Sequence, residues 1–176
     1  MQLTPTMEKF ILHWGEMGSR WGVNRSVAQT HALLYLVARP LTADEIVETL
    51  GIARSNVSTS LRELLSWELI VQHPVLRDRR DYFKAETDLW TVLMTIVEGR
   101  KRREIDPTLT MLRQATLDTA EDTETPEDVK RRIEDVLSFI ENLTNWYLQV
   151  SRLSRGTLIK LIKLGARIST LVPGKG

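Results

Sequence analysis

Apolar positions recur at helical spacing along nearly the whole chain, with one interruption near its middle. Met7, Phe10, Trp14, Met17 and Trp21 stand at alternating steps of three and four, an apolar stripe on a first helix that fades at Gly15, Gly18 and Gly22. Asn24 is placed to cap a second helix reaching about Ala38, which Pro40 closes. Thr42-Ala43-Asp44-Glu45 has capping-box spacing, and Leu50-Gly51 stops the short helix that it starts. A further helix is predicted over 54–67. The period then changes. Residues 70–73 and 81–85 read as two short strands, with Ile70, Val71, Tyr82 and Phe83 at their centres, around an arginine-rich connection.

Helical spacing returns with Thr87 as cap and with Leu89, Leu93, Ile96 and Val97 on one face. Asp106-Pro107 marks a break and a new start, and 120–125 is an acidic, polar stretch. From Pro126 a long helix carries Val129, Ile133, Val136, Ile140, Leu143, Tyr147 and Val150 at alternating steps of four and three, the seam of a helix that packs along a partner helix. The last amphipathic helix carries Leu158, Leu161, Ile162, Ile168 and Leu171. The predicted organisation is a DNA-binding domain with flanking helices over 1–115, a linker over 116–125 and a helical dimerisation region over 126–176.

Composition narrows the chemistry. The chain has no cysteine, which excludes disulfides, thiolate metal sites and cysteine nucleophiles. No stretch approaches the roughly 18 apolar residues of a membrane span, and the first residues lack a basic segment followed by an apolar one, so a cytoplasmic protein is expected. His13, His31 and His73 lie in separate elements, and no nucleophile, phosphate loop or metalloprotease spacing is present. No catalytic residue, metal or cofactor is expected. The net charge of +1 hides two basic regions: 51–84 holds six bases against four acids, and 151–176 holds six bases and no acid.

The informative block runs from Leu41 to Lys84: capped short helix, glycine turn, second helix, two-stranded ribbon. A helix, a tight turn and a second helix can present that second helix to a DNA major groove. At 100° per residue, Val57, Leu61, Leu64 and Leu65 converge on one side, leaving Ser55, Asn56, Thr59, Arg62, Glu63 and Ser66 opposite. Small hydroxyls, an amide and a guanidinium suit base edges and phosphates. Arg54, Ser55, Asn56, Ser58, Thr59 and Arg62 are the candidate DNA contacts of this helix. Arg77, Arg79 and Arg80 are those of the ribbon, reaching phosphates or the minor groove, with Asp78 holding one of them in place.

The stretch LTADEIVETLGIARSNVSTSLRELLSWELIVQHPVLRDRRDYFKAETDLW resembles the winged helix-turn-helix of the MarR superfamily, specifically its GbsR-like branch. The resemblance is densest over 22–104. It implies a mainly α fold, a winged helix-turn-helix with a two-stranded β-wing and additional C-terminal dimerisation helices. It implies that 55–62 enter the major groove and that Asp78-Arg79 form the wing tip, ahead of Tyr82-Phe83 and Trp90. It further implies a homodimeric regulator of transcription, often a repressor, that reads a pseudo-palindromic duplex and in some members answers to choline or related compounds. Two positions depart from the pattern: Ala53 offers no side-chain cap, and Arg77 stands where the family prefers glycine.

The chain has five tryptophans. Trp14, Trp67, Trp90 and Tyr35 are candidate effector contacts, because aromatic faces hold quaternary ammonium groups by cation–π attraction. Such an effector is expected between the DNA-binding lobe and the dimerising helices. The alternatives are a winged helix reused as a protein-interaction scaffold and an architectural DNA binder without effector.

Overall fold

Side-chain caps start the first three helices. Thr4 accepts from the Met7 amide at 3.3 Å and Asn24 from the Ser26 amide at 2.9 Å, opening α1 (Pro5–Arg20) and α2 (Arg25–Val37). In the capping box, Thr42 Oγ1 accepts from the Glu45 amide at 3.2 Å while Glu45 Oε2 accepts from the Thr42 amide at 2.8 Å. Gly51, with φ 63°, closes α3 (Ala43–Leu50) in the left-handed region. Helix α4 (Arg54–Ser66) follows after a short turn, and Ala53 at its start makes no side-chain cap bond. The computed structural model describes residues 1–171, without the side chains at 120–121 and 166–171, so Arg167, Ile168, Leu171 and Lys175 of the last predicted helix and its basic run lie outside the described side chains.

The chain divides into two units, Met1–Gly99 and Arg100–Gly176. In the first, β2 (Ile70–Gln72) and β3 (Tyr82–Ala85) pair antiparallel, Ile70 opposite Ala85 and Gln72 opposite Phe83. A third strand, β1 (Leu41–Thr42), pairs with β3 on its other side, giving the order β1-β3-β2. Two residues carry no period, so only the pairing with β3 reveals that strand. The core packs Leu33, Leu34, Leu41, Ile46, Val57, Leu64 and Ile70, with α2 at its centre and buried from Val27 to Leu34. Helix α5 (Leu89–Arg100) is capped by Asp88, which accepts from the Trp90 and Thr91 amides at 2.9 Å, rather than by the predicted Thr87.

The predicted stripe of α1 is not the face it buries. Ile11, Gly15 and Gly18 are buried, whereas Phe10 and Trp21 are exposed and Met7, Trp14 and Met17 lie between. The helix does not fade at its glycines. An added Cβ at Gly15 would stand 2.7 Å from Gln29 Cγ, and at Gly18 2.6 Å from Ala28 Cβ, so those glycines let α1 and α2 approach closely.

In the second unit, a π-helical turn (Lys101–Ile105) runs directly into α6 (Asp106–Glu121), so Asp106-Pro107 starts a helix without breaking the chain's helical path. Pro107 has no amide to continue the ladder of the preceding turn, whose last bond runs from the Asp106 amide to the Lys101 carbonyl. Helix α6 packs along α7 (Glu127–Ser151), pinned by Arg113 Nε donating to Glu141 Oε1 at 2.9 Å. No residue of α7 is buried. Val136, Phe139, Leu143 and Trp146, at steps of three, four and three, form an exposed apolar stripe. Helix α8 (Arg155–Leu171) ends the described chain and buries Leu158.

Candidate nucleic-acid interface

Helix α4 buries Val57, Ser60, Leu61 and Leu64 against the core, which aims the opposite side at solvent. Arg54, Ser55, Asn56, Ser58, Thr59 and Arg62 are all exposed there. Arg62 Nη2 donates to Thr59 Oγ1 at 3.3 Å, a contact within one turn that orients the guanidinium along the helix face. Arg54 is paired with Asp44 of α3, so its charge is partly spent at the helix start. Both partners are exposed, and such a pair gives way to a phosphate at little cost.

The loop between β2 and β3 supplies the other cations. His73 donates from its amide to the Tyr82 carbonyl at 2.8 Å, extending the ladder toward the tip. The Asp78 carboxylate then gathers three donor groups: the Arg80 amide at 3.0 Å, the Arg80 guanidinium through Nη2 at 2.6 Å and Nε at 3.1 Å, and the hydroxyl of Tyr82, at the start of β3, at 2.8 Å. Arg80 also lies over the Tyr82 ring, 5.5 Å from its centroid. Hydrogen bonding by Arg80 holds the Asp78 carboxyl far below the usual carboxylate range, and the bond to Asp78 pushes the Tyr82 phenol up. Arg80 is therefore a clamped cation. Arg77 and Arg79 are exposed and make no ion pair among the described residues. Arg77 has φ 66°, the left-handed conformation that glycine adopts without cost, which accounts for the glycine preferred at this position in the pattern the chain resembles.

One cleft joins the helix to the ribbon. Its volume is about 400 Å³, and Arg54, Ser58 and Arg62 line it from α4, Arg79 and Arg80 from the wing. Asp44, Gln72 and Asp81 line it too. The sequence did not single these three out as site residues, because they sit at element ends whose neighbours only the fold supplies.

A family model matches this part of the chain. The MarR family model covers residues 21–81. That span holds α2 to β2 and every candidate DNA contact from Arg54 to Arg80. The HTH-type transcriptional regulator named YvaV, of Bacillus subtilis (strain 168), is 21% identical to this chain over 149 residues, 83% of this chain and 84% of its own length. The crystal structure of a transcriptional regulator matches with a TM-score of 0.64 at 17% identity, covering 80% of this chain and 92% of that one. The fold is a mainly helical, MarR-like winged helix with a small antiparallel sheet.

The aromatic candidates are spread over the first unit. Trp14 stacks on Phe10, with centroids 5.4 Å apart at 16°, and it and Tyr35 pack partly buried against the core. The Trp67 ring, at the end of α4, lies over Gly99 of α5. Trp90 is half-buried in the first turn of α5. None of the four lines the α4–wing cleft or the smaller polar cleft between α6 and α7. Among the described residues no group of acids and histidines is arranged to hold a metal ion.

Proposed function

We propose that this chain is a sequence-specific, double-stranded-DNA-binding regulator of transcription. The observation that carries the reading is the shared cleft, which Arg54, Ser58 and Arg62 line from the helix and Arg79 and Arg80 from the ribbon. A helix of this size, lying in a major groove, reads bases with Asn56 and Arg62, while Arg54, Arg77, Arg79 and Arg80 bind backbone or the minor groove. The likeness to YvaV and to a solved transcriptional regulator supports it. Within the MarR superfamily we place the chain in the GbsR-like branch, on the 41–90 stretch and the long helical region after it. Repression is the direction usual in that branch.

One recognition helix spans few base pairs, so the reading includes a homodimer on a pseudo-palindromic duplex, its half-sites about one helical turn apart. The exposed stripe of α7 supports dimerisation, and the reading includes a cytoplasmic location. No helix among the described residues is long and apolar enough to cross a membrane. The reading also includes release by choline or a related small molecule acting on Trp14, Tyr35, Trp67 and Trp90. Trp67 is the natural reporter, since it ties the end of α4 to α5. A tenfold loss of DNA affinity requires about 1.4 kcal/mol of coupling.

In vitro selection of duplexes with the full-length chain, followed by footprinting at several salt concentrations, tests the reading. Enrichment of a two-fold-related motif with steep salt dependence is expected. Salt-sensitive binding without a motif would make the protein an architectural binder, and no duplex binding would make it a protein-interaction module. Tryptophan fluorescence titrated with choline, repeated on the DNA complex, tests the effector.

A further inference from the structure

Leu76 is 89% exposed, more than any other large apolar side chain among the described residues. Folding gains nothing from it there. Its place is nevertheless well defined. The Asp78 amide donates to the Val75 carbonyl at 3.1 Å, closing a four-residue turn with Leu76 at its second position and Arg77, φ 66°, at its third. A non-glycine residue held at positive φ stores strain, so this corner is maintained against a local preference. Pro74 restricts the backbone just before it. Just after it, Asp78 clamps Arg80 and Tyr82. The leucine is thus the apex of a braced turn, with Val75, itself exposed, beside it and Arg77 and Arg79, which make no ion pair among the described residues, following it in the chain.

An apolar apex followed in the chain by two exposed arginines, Arg77 and Arg79, suits a polyanion whose interior is apolar. A DNA minor groove is such a partner: its negative potential draws arginines in, and its floor is a stack of bases that leucine can part. A protein surface covering Leu76 would have to desolvate the same arginines without a run of phosphates to receive them.

We propose that Leu76 is an apolar wedge that enters the minor groove beside the recognition helix, partly unstacks a base step and bends the duplex. The inference rests on the DNA-binding reading above. It assigns to the wing a mechanical role that phosphate contacts alone do not supply, and it makes the protein sensitive to how easily the flanking step is kinked. Pyrimidine–purine steps, the most easily unstacked, are then favoured where the wing lands.

The experiment uses the full-length chain and a duplex recovered by selection. The duplex is labelled at its ends for energy transfer and carries 2-aminopurine at the step under the wing. Wild type is expected to bend it by roughly 20–90° and to raise the 2-aminopurine fluorescence. Leu76→Ala, which removes no buried contact, should bind within about tenfold of wild type while losing both signals, and Leu76→Met should retain them. Equal bending and unstacking by Leu76→Ala would overturn the wedge. So would a change in the sedimentation of the free protein, which would make Leu76 a contact between proteins. If wild type recovers no duplex at all, the DNA-binding reading itself falls, before any Leu76 variant is compared.

Discussion

Arg62 and Arg79 carry the same charge on backbones of different stiffness, and that difference separates the roles proposed for them. Arg62 projects from a helix locked to the core by Val57, Leu61 and Leu64. A guanidinium held that firmly can choose between bases. Arg79 stands in a loop and has no ion-pair partner among the described residues to orient it. Arg62→Ala is expected to cost about 1–3 kcal/mol per half-site and to relax preference at one base position. Arg79→Ala should weaken all sequences alike and lower the salt slope by about 1. Competition binding against single-base variants of a selected duplex distinguishes the two, and unchanged preference in Arg62→Ala would refute the face assignment. A second residue-scale effect lies in the core. His31 is buried in α2 with its Nε2 unpaired, and desolvation lowers its pKa below 6.5. The folded state therefore binds its proton less readily than the unfolded chain. Its contribution is fully present above pH 6.5 and declines as pH falls from there toward the folded value. Urea unfolding across that range should show a loss of stability that His31→Gln reduces. Glu45, lowered from 4.5 because its bonds to Thr42 and Arg39 outweigh its desolvation, adds a separate loss only at more acid pH.

At the scale of elements, the end of α4 is tied to α5 by one close approach. A Cβ added at Gly99 would stand 2.9 Å from two carbons of the Trp67 ring, a distance that forces one of the helices or the indole to move. Gly99→Ala should destabilise the first unit by about 1–3 kcal/mol in thermal unfolding, the usual cost of overpacking. Those carbons belong to the part of the indole that phenylalanine lacks. Adding Trp67→Phe should therefore recover part of the loss, and a double-mutant cycle showing strict additivity would argue that the two residues do not bear on each other. The same contact bears on the proposed effector response, because whatever displaces the Trp67 ring displaces the C-terminal end of the helix that carries Arg62.

At the scale of the whole molecule, the unburied stripe of α7 demands an explanation. Four large apolar side chains in a row, Phe139 and Trp146 each more than 60% exposed, are costly to leave in water. In the dimer proposed above, a second copy of the chain covers them, since a two-fold axis pairs the stripe with itself. Phe139→Glu combined with Trp146→Glu is expected to give a monomer by sedimentation velocity, with the winged helix still folded by circular dichroism. DNA binding should then weaken to that of one half-site. A dimer that survives both changes would move the interface to the exposed apolar residues of the first unit, such as Phe10, Trp21, Leu89 and Leu93.

The elements legible in the sequence were those whose cause lies within a turn or two of the chain. Thr42 and Glu45 cap each other across three residues, Gly51 stops α3 through its own φ, and the polar face of α4 follows from its period, so the solvent-facing side of the α4 half of the candidate site could be read from residue order. What depends on distant partners could not. The apolar stripe of α1 looked like its core face, but the glycines on the neighbouring face let α2 come closer, and packing density decided for Ile11, Gly15 and Gly18. Leu41 and Thr42 became a strand only because Phe83 and Tyr82 lie beside them. Leu76 in a polar loop could equally have been tucked inward. Its exposure follows from the turn closed by Val75 and Asp78 and from the left-handed Arg77, and only the folded wing combines these. Hydrogen bonds within a helical turn are local, so sequence determined them; burial is shared between segments far apart in the chain, so tertiary structure decided it.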